Sequence, residues 1–286
     1  MWNNVPIVPN GSVCILIVLA VASVHAPAQW INYPAPGTPR TRDGKPNLTA
    51  PAPRASNGKP DLSGVWQVEP TPAEEMTHLF GDLSAFNVPG DEARAFSKYI
   101  VNILVDFKPE EAALRPEFAA LFRQRAQEGA PTLHCLPIGL PADDLLPGPI
   151  KIIQTPGLIL MRIEYENSMR QIYTDGRKPP ADPEPLWLGY SVGRWDADTL
   201  VVDTVGFNDK GWLDASGHPH SEALHVVERF HRRDFGHMDV QVTIDDSKMY
   251  TKSFSIKFTE LLLPDSDILE YFCSENEKDQ SHSNGN

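Results

Sequence analysis

Five of the nine histidines in the chain lie between His218 and His237. Two of them belong to a segment, residues 206–222, that is rich in groups able to bind a molecule and move its protons. It carries Asn208, Asp209, Lys210, Trp212, Asp214, His218, His220 and Glu222. An indole can cover a bound molecule, while imidazoles and carboxylates exchange protons near neutral pH. Long structured loops often carry function. The segment therefore reads as a lid over a cavity, with Trp212, Asn208, Asp214 and Glu222 touching the substrate and His218 and His220 as acid/base groups. The same residue types also cap turns on an ordinary surface loop. In extended chain, residues two apart point the same way, so His218, His220 and Glu222 would face one side. Such a set can hold zinc or another divalent ion. No distant Cys or His completes it, and no residue is assigned to a metal.

Two acids fall where the apolar face of a strand should be. Glu228 alternates with Leu224, Val226 and Phe230, and Asp203 falls in line with Val201, Val205 and Phe207. A carboxyl among hydrophobes resists ionisation, which suits general acid or base work. The competing expectation is an inward acid paired with an arginine, for which Arg162, Arg170, Arg194 and Arg229 are candidates. Tyr165, Tyr173 and Tyr190 could donate to a ligand carbonyl, or simply pack within strands. The nucleophile-elbow, phosphate-loop and dinucleotide-binding patterns are absent.

The elements that must position these groups are mostly strands. Period-two alternation begins at Ile150 and predicts strands over 150–155, 158–166, 168–174, 189–195, 200–207, 223–232, 237–245, 250–258 and 267–273, with 62–67 as a tenth. The clearest has Met238, Val240, Val242 and Ile244 on one face and His237, Asp239, Gln241 and Thr243 on the other. Short turns between them suit antiparallel neighbours and leave no room for parallel crossovers. So many strands in sequence favour an all-β fold, a closed antiparallel up-and-down β-barrel. A small helical insert is expected at about 91–127, from apolar spacing over 91–106 and a Pro-Glu-Glu start at 109 with a break at Pro116.

The chain has 286 residues with 41% apolar and 22% charged, which is globular composition. Its net charge of −13 repels phosphate and argues against nucleic acid as a partner. Residues 13–24 form an uncharged apolar run too short to span a bilayer, matching a secretory signal peptide over 1–26. Removal of that segment implies a periplasmic or secreted protein with no stable membrane insertion. Residues 27–60 form a proline-rich extended arm containing two near copies, Asp43-Gly-Lys-Pro-Asn-Leu48 and Asn57-Gly-Lys-Pro-Asp-Leu62, each a turn with an extended exit. The barrel domain is expected over 61–275, followed by a disordered tail at 276–286. Cys135 and Cys273 could pair in an exported chain, or Cys273 could be a small buried hydrophobe.

Asp61-Leu-Ser-Gly-Val-Trp66 resembles the Gly-x-Trp first strand of lipocalin-like (calycin) barrels, in which the Trp plugs the closed end. The run beginning Trp187-Leu-Gly-Tyr-Ser-Val-Gly-Arg-Trp195 is longer. With Gly217-His-Pro-His-Ser-Glu-Ala-Leu-His-Val-Val-Glu-Arg-Phe230, it is similar to a large family of exported soil-bacterial proteins, over nearly all of residues 40–275. The resemblance implies export and an all-β barrel, and no particular reaction. The expected function is acid/base chemistry without a cofactor on a small, largely apolar molecule in the barrel cavity: isomerisation, cyclisation, elimination or hydrolysis. A non-catalytic carrier and a metal-dependent hydrolase using His218 and His220 are the alternatives.

Overall fold

The computed structural model describes residues 34–81, 96–108, 110–111 and 114–273. The expected signal peptide, the start of the arm, residues 91–95 of the first expected helix and the tail at 276–286 lie outside the described residues.

Nine strands close into one barrel in chain order: β1 (Gly64–Val68), β2 (Ile150–Thr155), β3 (Leu158–Ile163), β4 (Ser168–Tyr173), β5 (Tyr190–Asp196), β6 (Thr199–Val205), β7 (His225–Arg232), β8 (His237–Asp245) and β9 (Phe254–Leu262). Alternation sends Met238, Val240, Val242 and Ile244 of β8 inward, as their spacing predicts. Ile150, Ile152, Ile159, Met161, Val226 and Phe230 join them in a continuous apolar core. Trp66 is fully buried, its indole N–H donating to the Leu62 carbonyl at 2.9 Å. The Arg232 guanidinium stacks on that indole at 4.8 Å and donates to the carbonyls of Asp61, Asp234 and Phe235.

The expected meander is broken at one place. β4 and β5 run parallel, with Ile172 opposite Ser191. A ring of nine strands cannot alternate in direction all the way round, so at least one neighbouring pair must be parallel. The connection that this requires is the proline-rich stretch between Tyr173 and Tyr190, extended rather than helical. The expected strand over 267–273 does not form. β1 pairs with both β2 and β9, so the ring has no free edge to accept another strand. The segment instead lies along the wall, with Lys151 against Asp267 at 2.7 Å and the Leu269 amide donating to Glu164 at 2.5 Å. Cys135 and Cys273 form a disulfide across 138 residues.

Helices appear before β2: α1 (Ala73–Phe80), α2 (Lys98–Val101), α3 (Ala119–Glu128) and α4 (Ala142–Leu145). Pro116 opens a single 3-10 turn ahead of α3, where its missing N–H costs nothing. The helix expected from residue 109 therefore starts later. The two arm repeats form matching turns. Thr41 N donates to Lys45 O and Ala55 N to Lys59 O, both at 2.9 Å, with Gly44 and Gly58 at positive φ. Arg40 and Arg54 each hold their own turn's glycine carbonyl and grip a barrel carboxylate, Asp265 and Asp198.

Candidate functional site

Glu228 points into the barrel from β7, as alternation requires, and is fully buried. It does not face an open cup. Arg170 of β4 grips both its oxygens, through Nη1 at 2.9 Å and through Nη2, and donates further to Ser191 at 3.1 Å and Thr204 at 3.0 Å. The arginine-paired expectation is the one the geometry meets. Burial works against the Arg170 charge, but Glu228 and Asp144 more than offset it and leave its pKa raised. Asp203 departs further from its expected place. On β6 the inward residues are Leu200, Val202 and Thr204, which sets Asp203 on the outer wall beside Arg194 at 3.4 Å.

The segment between β6 and β7 folds tightly onto the barrel end. Asp214 is fully buried and accepts from the backbone N–H groups of Ile103, Gly217 and His218, and from His218 Nδ1 at 2.6 Å. The His218 ring lies 4.5 Å from that of Phe122 on α3. His220 donates through Nδ1 to the Ser221 carbonyl at 3.2 Å, while its Nε2 is buried with no partner. Burial lowers its pKa to about 4, so the ring is neutral. Trp212 is buried beneath Arg125, whose guanidinium lies 5.7 Å from the indole and also holds the carbonyls of Asp209 and Gly211. It is therefore a packing residue of the closed loop and not an exposed ligand cover. Asn208 caps its own turn by accepting from Lys210 N. Glu222 is exposed while both histidines are buried, so the three do not share an environment. Among the described residues, no three His, Cys, Asp or Glu side chains are arranged to hold a metal ion.

The three tyrosines do not converge on one point. Tyr165 stacks on Tyr271 at 5.4 Å. Tyr173 and Tyr190 stack on each other at 5.3 Å, and Arg177 sits 3.8 Å above Tyr173 while donating to Tyr190 and Asp175.

What the structure does bring together lies at the rim. The proline-rich crossover, the end of β6 and the start of β7 enclose a cleft of about 610 Å³ lined by Pro179, Pro183, Phe207, Glu222, Leu224 and His225, among others. His225 reaches outward from β7, and its Nε2 lies 3.2 Å from Asp203. Of the expected site residues, Glu222 lines this cleft with His225, and Asp203 is tied to it through the His225 imidazole, which had been read only as part of the histidine-rich stretch. His225 is two residues from Val227, the register partner of Asp203, and the strand pairing alone would have placed it.

Four interior acids escaped notice. Asp143 and Asp144 enter the barrel end from α4, Glu166 from the β3–β4 turn and Glu260 from β9. The spacing of Glu260 with Phe254, Ile256 and Leu262 carried the same inward signal that identified Glu228. In comparisons with protein-family models, curated proteins and solved structures, nothing matches the chain.

Proposed function

We propose that the protein is an exported enzyme of proton-transfer chemistry, acting on a small organic molecule in the cleft between the proline-rich crossover and the start of β7. The observation that carries this reading is His225, paired with Asp203 at 3.2 Å, at the wall of a cleft of about 610 Å³ that Glu222 also lines. Asp203 accepts from His225 Nε2, which leaves Nδ1 as the basic nitrogen and fixes the ring's orientation. His225 removes a proton from the substrate or from water, and Glu222 offers a second group for returning one. Phe207, Leu224 and the prolines suit a largely apolar skeleton. Isomerisation, cyclisation, elimination and hydrolysis all need only this pair of groups. Export is supported by the Cys135–Cys273 disulfide, since such bonds persist in oxidising compartments. A calycin-like barrel is supported by the buried Trp66 on β1.

Turnover by the purified protein of a panel of aryl esters, lactones and enolisable ketones tests the reading. Changing His225 to Gln is expected to lower turnover about 10²-fold or more. Because the side chain is half-buried at the wall, melting should stay within about 2 °C of wild type. Full turnover by H225Q would overturn the assignment. Retained ligand binding with no turnover in either protein would make the cleft a carrier site.

A further inference from the structure

Five carboxyl groups share the barrel end with one guanidinium. Asp143 and Asp144 come from α4, Glu166 from the β3–β4 turn, Glu228 from β7 and Glu260 from β9, against Arg170 of β4. All four residues of α4 are buried, so this short turn sits as a stopper. Arg170 satisfies Glu228 and lies 3.6 Å from Asp144. Both oxygens of Asp143, both of Asp144, Glu166 Oε2 and Glu260 Oε2 are buried without a hydrogen bond from any N–H or O–H group, Arg170 standing off from Asp144 at ion-pair distance. Asp143 instead meets the Glu166 carboxyl, and Asp144 meets that of Glu228. Two carboxyl groups in contact away from water cannot both ionise; a proton between them turns the contact into a hydrogen bond.

We propose that α4 is a proton-held plug, seated in the barrel end only while Asp143 shares a proton with Glu166 and Asp144 shares one with Glu228. Raising the pH strips these protons and unseats residues 139–147. Burial, followed by the neighbouring carboxylates, pushes Asp143 and Asp144 well above the usual range, and burial raises Glu260 likewise. Glu166 rises to about 7, chiefly through burial, although the Ile138 amide and Asp143 pull it back. All these folded-state values lie above those of the unfolded chain. The stabilisation is therefore complete in acid, below about pH 4, and is lost as the pH climbs through about 7 for Glu166, with Asp143 displaced in the same direction. Ser168, Ser191 and Thr204 are neutral polar groups of the same interior, and α2, which packs on α4, carries Lys98 and Tyr99, both engaged with Asp106. Glu166 also lines a cleft of about 220 Å³ beside the disulfide, which gives the protons a way out.

Hydrogen exchange on the full chain at pH 6 and pH 9, corrected for intrinsic exchange, reads the plug directly. The Asp143 amide, which donates to Gly139 O at 2.9 Å, should lose protection by about tenfold or more at pH 9, with β8 unchanged. Changing Asp143 to Asn supplies an N–H donor to Glu166 without a titrating proton, and should diminish the loss at pH 9, leaving only the share that Asp144 and Glu228 carry. Glu166→Gln serves the same end if D143N does not fold. A flat wild-type profile, a loss shared by every strand, or a loss undiminished in a folded variant would each overturn the proposal. Recovery of protection at pH 9 on adding calcium or magnesium would assign the carboxyls to a cation instead.

Discussion

A guanidinium and a carboxylate sealed inside a barrel both give up their water, and each then depends on the other. Arg170 and Glu228 are in that position, with Ser191 and Thr204 taking the remaining donors of the guanidinium. Truncation of Glu228 to Ala would strip Arg170 of its hydrogen-bonded partner and leave only the more distant Asp144. Urea denaturation should show a loss of about 3–5 kcal/mol, and an unchanged midpoint would contradict the pairing. The inward direction of Glu228 was legible because β7 alternates cleanly. Asp203 was misplaced because Leu200, Val201 and Val202 are all buried. A strand apolar on both faces gives no phase, and a one-residue slip reverses every side chain. Asp143 and Asp144 were illegible for another reason: they sit in a one-turn helix with no periodicity to point them inward.

At the level of elements, the repeated arm sequence proves to be a repeated fastening. Each copy folds an Asp/Asn-Gly turn and extends an arginine to a carboxylate on the barrel, Asp265 or Asp198. Exposed pairs of this kind add little to global stability, so their effect should be local. Replacing both Arg40 and Arg54 with Ala is expected to speed proteolytic cleavage within 34–60 while the melting of the barrel stays put. Cleavage at the wild-type rate would show that the turns hold without these grips. The duplication was visible in sequence, but its partners were not, because Asp198 and Asp265 lie far along the chain. The parallel β4–β5 pair was missed for a related reason. Turn residues predict local hairpins well, whereas the count of strands in a closed ring is a property of the whole.

Across the whole molecule, the barrel class followed from alternation and short turns, and the interior chemistry did not. The expected apolar cup holds a buried polar network around Arg170 and Glu228, and the proposed acid/base group, His225, stands on the outer wall. The disulfide ties the segment after β9 to the stretch before α4 across 138 residues. Replacing Cys135 and Cys273 with Ser should cost about 2–5 kcal/mol in chemical denaturation; no loss would mean that the segment is held by its other contacts alone. The most direct test of the proposed rim chemistry is turnover per folded molecule in His225→Gln beside Glu228→Gln, each measured well below its melting temperature. Loss of turnover in H225Q with substantial turnover kept in E228Q is the predicted result. The reverse pattern, E228Q inactive and H225Q fully active, would return the reaction to the barrel interior and contradict the rim site.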